Sequence, residues 1–85
     1  MTRLKYDITD VLRRADSDLC NGDLAPRDYA ILRIWCAAMD CPDSHNPTKL
    51  GRTRIAKRLK LTEYTVRIVQ MRLKRLYFAN FLHNK

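Results

Sequence analysis

Two helical patterns of apolar residues follow one another across residues 54–76, and only a short link separates them. In the first pattern, Ile55, Ala56 and Leu59 share one side of a helix. The second pattern repeats apolar residues at intervals of three and four, at Val66, Val69, Leu73 and Leu76. A link this short suits two helices that cross closely, and Ala56 supplies the small residue that a close crossing needs.

The link itself has the residues of a helix start. Thr62 is a suitable N-cap, and Glu63 places a carboxylate in the first turn, where it interacts favourably with the helix dipole. The pattern therefore predicts a helix-turn-helix motif over residues 51–78. Many such motifs have glycine in the turn, whereas this chain has Lys60, which would be strained if it takes a positive φ.

Two further helices precede the motif. An apolar stripe predicts a first helix over residues 4–19, ended by a left-handed cap at Asn21-Gly22. Pro26 suits the first turn of a second helix over residues 26–39, which is apolar on most sides and is expected to be central, with Trp35 as a core anchor. The breakers between residues 40 and 50 predict a loop.

These elements predict an all-α fold of four helices, a three-helix helix-turn-helix core plus an N-terminal helix. After Leu76 there is room for a rudimentary wing at most. The aromatic C-terminal segment, residues 77–85, is expected to pack on the first helix, because a domain of 85 residues is short of core. Packing on a second copy, as a homodimer, is the alternative.

Positive charge is concentrated in the second half of the chain. The net charge is +8, from 17 Lys and Arg against 9 Asp and Glu. Residues 1–48 contain 6 basic and 8 acidic side chains, whereas residues 49–85 contain 11 basic side chains and a single acid, Glu63. A basic block in a folding sequence favours a polyanionic partner, above all nucleic acid.

The remaining composition argues against other classes. Charged residues interrupt every apolar stretch, so no membrane span is expected, and the polar start predicts no secretory signal. Three cysteines, Cys20, Cys36 and Cys41, favour free thiols in a reducing, cytoplasmic location. The spacing of Cys36, Cys41 and His45 is poor for zinc, so no metal or other cofactor is expected. No catalytic constellation or phosphate-binding glycine loop is evident, and an enzyme is not predicted.

Three segments resemble region four of sigma factors, and also LuxR-type regulators. They are a helix start of the form L-x-P-R-[DE] at residues 24–28, an I-A-x-x-L helix at residues 55–59 and a T-x-x-x-V recognition helix at residues 62–66. The resemblance covers roughly residues 24–78 and implies a four-helix, DNA-binding fold. The loop at residues 40–50 is longer than is usual in those families. A looser resemblance is to winged-helix modules of phage and plasmid proteins.

The motif assigns roles to individual side chains. Its second helix is expected in the major groove of duplex DNA, with Arg67 reading guanine. Apolar positions turned inward leave the following base-reading candidates: Thr62, Glu63, Tyr64, Arg67, Ile68 and Met71. The candidates for phosphate contacts are Arg52, Arg54, Lys57, Arg58, Lys60, Lys74 and Arg75. Arg52 and Arg54 are expected in a first turn, where positive charge opposes the helix dipole and suggests a functional use.

Two functions follow from this pattern. The first is a sequence-specific transcriptional regulator of the kind found in phages and mobile elements, which blocks or recruits RNA polymerase. The second arises because Ile68 and Met71 are apolar residues on the supposed DNA face. In this alternative, the helix-turn-helix is a protein-binding module that sequesters or modulates a transcription factor or RNA polymerase.

Overall fold

The computed structural model describes residues 8–40 and 46–78, which are almost entirely helical. The helices are α1 (Ile8–Cys20), α2 (Pro26–Met39), α3 (Pro47–Leu59) and α4 (Glu63–Leu73), and a π-helical segment, Lys74–Phe78, continues α4. No strand occurs within the described ranges. The predicted all-α, four-helix class is therefore confirmed.

A left-handed glycine ends α1, as the sequence predicts. Gly22 has a φ of 83°. Its N–H donates to the carbonyl of Leu19 (3.1 Å), and the N–H of Asp23 donates to the carbonyl of Asp18 (2.8 Å). This pair of bonds is a Schellman motif, which satisfies the last carbonyls of the helix. Residues 4–7 of the predicted first helix lie outside the described residues.

α2 is the central helix, and its predicted bounds are confirmed. It packs against α1, α3 and α4. Trp35 is only 2% exposed and meets the ring of Phe78 edge-on, with the ring centroids 5.1 Å apart. Trp35 is thus the core anchor that the sequence predicts, and it fixes the segment after α4 to the middle of the molecule.

The prediction of a loop over residues 40–50 is wrong at its C-terminal end. α3 begins at Pro47, four residues before the predicted start of the motif. Asn46 caps it by accepting a hydrogen bond from the backbone N–H of Lys49 at 3.1 Å. Asn-Pro was interpreted as a loop breaker, but asparagine at the N-cap and proline at the first helical position also begin a helix.

The earlier start changes the interpretation of two arginines. Arg52 and Arg54 lie beyond the first turn of α3, so the expectation that their charge opposes the helix dipole is wrong. The effect of the dipole is confined to the terminal turns. Any functional role of these arginines therefore depends on the face of α3 on which each side chain lies.

Gly51 makes the closest approach between α2 and α3. A Cβ atom at this position would lie 3.1 Å from Cδ1 of Trp35 and 3.3 Å from its Cα. Ala56, the residue predicted to permit the close crossing, is partly buried and packs against the core. The close contact of α3 with α2 thus lies earlier on α3 than Ala56, at the residue where the predicted motif begins.

The turn between α3 and α4 consists of three residues, 60–62. Lys60 has a φ of 58° and a ψ of 45°, in the left-handed region. The N–H of Leu61 donates to the carbonyl of Ala56 (3.0 Å), and the hydroxyl of Thr62 accepts from the N–H of Thr65 (3.1 Å). The predicted left-handed strain and the predicted N-cap are both present.

The inward stripe of α4 departs from prediction at its end. Val66, Val69 and Leu73 are buried as predicted, but Leu76 is 54% exposed. The π-helical segment widens the last turn, so Tyr77 and Phe78 enter the core instead. A simple three-four repeat cannot anticipate this change of register.

Tyr77 makes the predicted contact with the first helix. Its hydroxyl donates to Asp18 at 2.5 Å, and the guanidinium of Arg14 lies 5.2 Å from its ring centroid. Burial raises the pKa of Tyr77, and the hydrogen bond to Asp18 raises it further. Phe81 and any wing after residue 78 lie outside the described residues.

Candidate nucleic-acid interface

α4 presents a mixed apolar and basic face to solvent. Tyr64 is 71% exposed, Ile68 45% and Met71 51%. Arg67 and Lys74 are exposed with them. The inward residues Val66, Val69 and Leu73 anchor the opposite side of the helix in the core and thereby fix this orientation. The base-reading candidates of α4 therefore project outward, as the sequence predicts.

The two candidates at the start of α4 differ in how firmly they are held. Thr62 is committed to the backbone N–H of Thr65 and also makes a 2.9 Å bond to the hydroxyl of Thr65. Glu63 is exposed in the first turn, where its charge interacts favourably with the dipole. The hydroxyl of Thr62 is thus used to cap α4, and this use competes with contact to a base.

The polarity of Gln70 favours a place beside the outward face of α4, but the structure buries it. It is 2% exposed. Its Oε1 accepts from Nε of Arg52, and its Nε2 donates to the carbonyl of Thr48, each at 3.1 Å. Gln70 therefore links the first half of α3 to α4. Its bond to Nε also orients the guanidinium of Arg52. The sequence does not reveal this contact, because its turn residues predict a loop at Thr48.

The phosphate-contact candidates of α3 lie on two different faces. Successive residues of an α-helix are separated by roughly 100°, so Arg54, Lys57 and Arg58 lie roughly 120–160° around the helix from Arg52. These three line a shallow groove of about 240 Å³. Arg52 instead lies against α4. The predicted candidates therefore do not form one continuous surface.

A second depression separates Arg52 from the outward face of α4, and we call it the α3–α4 cleft. Its volume is about 220 Å³. It is lined by Trp35 of α2, by Thr48 and Arg52 of α3, by Arg67, Gln70 and Met71 of α4, and by Lys74 of the π-helical segment. The cleft thus joins two base-reading candidates, Arg67 and Met71, to two phosphate-contact candidates, Arg52 and Lys74.

The predicted phosphate contacts have no acidic partners within residues 8–40 and 46–78. The ion pairs in these ranges join Arg13 to Asp10, and Arg27 and Arg72 to Asp28. All of their acids belong to α1 and α2. The positive charge of α3 and of the outward face of α4 is consequently available to an external anion.

Among the described residues, Arg72 is the basic residue of α4 that forms an ion pair. Its Nη2 lies 2.5 Å from Oδ2 of Asp28, which is only 6% exposed near the start of α2. Asp28 also places a negative charge in the first turn of α2, where it interacts favourably with the helix dipole. A separation of 44 positions hides such a pair from any local pattern.

No cysteine or histidine of the described residues is among those that line the α3–α4 cleft. Within the described residues there is no cluster of metal-ligating side chains. Cys36 is buried, and burial raises its pKa to about 12, whereas Cys20 is exposed. Cys41 and His45, the other two residues of the spacing weighed for zinc, lie outside the described residues.

Among the described residues, no helix is both long enough and apolar enough to span a bilayer. A scan against protein-family models found no match to the chain. Searches of curated proteins and of solved structures likewise found no significant match.

Proposed function

We propose that the protein binds duplex DNA sequence-specifically and regulates transcription in the cytoplasm. The observation that carries this proposal is the α3–α4 unit. Its three-residue turn has a left-handed residue at Lys60, and the outward face of α4 is bordered by cations without acidic partners in the described ranges. A helix displayed in this way can enter the major groove.

In this proposal Arg67 reads a base and the flanking cations hold the backbone. Arg67 is exposed at the middle of α4, where a guanidinium can donate two hydrogen bonds to guanine. Arg52 and Lys74 flank it across the α3–α4 cleft. Bound to an operator, the protein would block RNA polymerase or recruit it, alone or as a dimer.

The first experiment is fluorescence anisotropy with a labelled random-sequence duplex at several salt concentrations. Micromolar binding that weakens steeply with salt is expected, because each neutralised phosphate lowers the logarithmic slope by about 0.9. If all seven candidate residues contact phosphates, the slope is about −6. If Arg54, Lys57 and Arg58 do not touch the DNA, the slope is about −4. Absence of binding at low salt would refute the proposal.

Sequence reading is tested after selection of a preferred site from a random pool. Arg67→Ala should weaken binding to that site by about 1–3 kcal/mol and leave binding to random DNA much less affected. Lys57→Ala is the matched control, since it removes one exposed charge and should weaken both alike. Equal losses on the two duplexes for Arg67→Ala would remove its base-reading role.

A second candidate function is supported by the apolar part of the same face. Tyr64, Ile68 and Met71 are spaced so that they form a stripe along α4, and all are exposed. Such a stripe suits docking into a protein groove, which would make the domain a module that modulates a transcription factor or RNA polymerase. Ile68→Asp should then abolish regulation while leaving any DNA affinity nearly intact, whereas under the DNA proposal both fall together.

A further inference from the structure

Trp35, one of the residues that line the α3–α4 cleft, has a buried polar group without a hydrogen-bond partner among the described residues. Nε1 of Trp35 is buried and has no hydrogen-bond partner within the described residues. Trp35 lines the cleft and is 2% exposed. A buried donor without an acceptor is unfavourable, so such a group needs an explanation. An acceptor bound in the cleft would provide one.

The charges around the cleft specify an anion. Arg52, Arg67 and Lys74 line it, and no acidic residue does. Gln70 accepts from Nε of Arg52, which leaves the two terminal amino groups of the guanidinium for another acceptor. Guanidinium, ammonium and indole N–H groups are all donors, and an oxyanion is a pure acceptor that matches them.

The size of the cleft decides between a whole small molecule and a single group. Its volume of about 220 Å³ is below the roughly 300–1,000 Å³ of pockets that enclose drug-sized ligands. Met71 adds an apolar edge on the outward face of α4. These dimensions suit one tetrahedral oxyanion with part of an attached sugar.

We propose that the α3–α4 cleft binds one backbone phosphate of the DNA strand that passes beside α4. This inference rests on the proposed DNA-binding function. Arg52 and Lys74 neutralise the phosphate, and the indole N–H of Trp35, once the lining side chains shift to expose it, donates to one of its oxygens. Gln70 is a positioning residue that orients Arg52. Free inorganic phosphate has the same chemistry, and the experiment distinguishes the two sources.

The indole N–H of Trp35 is a direct reporter, because the chain has only one tryptophan. In a ¹H–¹⁵N correlation spectrum of the full chain, its single side-chain resonance is followed as a random-sequence duplex is added. The resonance is expected to shift, and Arg52→Gln should remove most of the shift. Arg52→Gln should also weaken duplex binding about 10-fold more than Arg58→Gln, which removes the same charge from the other face of α3.

The role of Gln70 is tested with Gln70→Met, which keeps the charge of Arg52 and much of the side-chain volume. We expect duplex affinity to fall about as much as in Arg52→Gln, whereas Arg52→Lys should partly preserve it. Circular dichroism establishes that each variant is folded. Full affinity in a folded Gln70→Met protein would overturn the positioning role.

The outcomes separate this inference from the proposed function. Duplex binding with an unmoved indole resonance, and equal losses for Arg52→Gln and Arg58→Gln, would overturn the cleft proposal and leave DNA binding intact. Without duplex binding, inorganic phosphate is titrated against chloride at constant ionic strength. A shift with phosphate alone would then assign the cleft to a free oxyanion, and no shift would refute both proposals.

Discussion

Replacing Lys60 with glycine should stabilise the protein. Lys60 has a φ of 58° and a ψ of 45°, and the left-handed region costs a residue with a Cβ atom roughly 1–2 kcal/mol. Glycine avoids this cost but loses about 0.5–1 kcal/mol more backbone entropy on folding. The net gain for Lys60→Gly is therefore about 0.5–1 kcal/mol in the free energy of unfolding. For a domain of this size, that corresponds to a rise of about 2–8 °C in Tm.

The assay is thermal and urea unfolding followed by circular dichroism. Lys60→Ala is the matched control, because it also removes the positive charge but keeps the Cβ atom. Only the glycine variant should be stabilised. If glycine and alanine give the same Tm, the gain comes from charge and the strain argument is wrong.

The reverse substitution is available at the end of α1. Gly22 has a φ of 83°, and a Cβ atom there would have no other atom within 4 Å. Gly22→Ala should therefore destabilise the protein by about 1 kcal/mol through backbone conformation alone. A neutral Gly22→Ala would show that these turns relax on substitution and would weaken the argument at both sites.

Lys60 also tests the DNA proposal independently of stability. It is an exposed candidate for a phosphate contact. Lys60→Gly and Lys60→Ala should each reduce the magnitude of the logarithmic salt slope by about 0.9, because each removes one charge. A slope unchanged in both would exclude Lys60 from the DNA contact while leaving the strain argument untouched.

Three further predictions concern the core. Gly51→Ala should lower Tm despite the better helix propensity of alanine. Overpacking costs about 1–3 kcal/mol, whereas the gain in helix propensity is about 1 kcal/mol. A higher Tm would contradict the close approach of α2 and α3. Tyr77→Phe should lower the free energy of unfolding by about 1 kcal/mol through loss of the bond to Asp18, and a double-mutant cycle with Asp18→Asn measures the coupling. Burial raises the pKa of Cys36 from 9.0 to about 12, so above pH 9 the unfolded chain releases a proton that the folded chain keeps, and stability falls as pH rises. Urea unfolding between pH 8 and 10 should show a shallower decline in Cys36→Ala than in the exposed control Cys20→Ala, and equal declines would refute this assignment.

The sequence alone determined the helical class and most of the helices. Local signals were sufficient for α2 and for the end of α1, since proline at a helix start and Asn-Gly at a helix end act through the backbone of their own neighbours. The same holds for the cap at Thr62. The inward positions Val66, Val69 and Leu73 followed from helical periodicity. With one face of α4 buried, the outward direction of Arg67 and Met71 was also predictable.

Only the tertiary structure decided how these helices fit together. The polarity of Gln70 predicts a surface residue. It is buried instead, because α3 supplies both a donor, Arg52, and an acceptor, the carbonyl of Thr48. The spacing of Leu76 predicts a core residue. It is exposed instead, because the π-helical turn places Tyr77 in the core at this point. Gln70 depends on partners distant in sequence, and Leu76 depends on a change of helical register; a three-four repeat contains neither.

The candidate interface shows the same division. The sequence shows which residues are basic, but the fold divides those of α3 between two faces. It also places Arg52 and Lys74 in the lining of the same α3–α4 cleft. The pair of Arg72 with Asp28 likewise links α4 to α2. Side-chain direction depends on the exact start and register of each helix and on the helices packed around it. Charge and periodicity are therefore properties of the sequence, whereas the shape of the surface that they form is decided by packing.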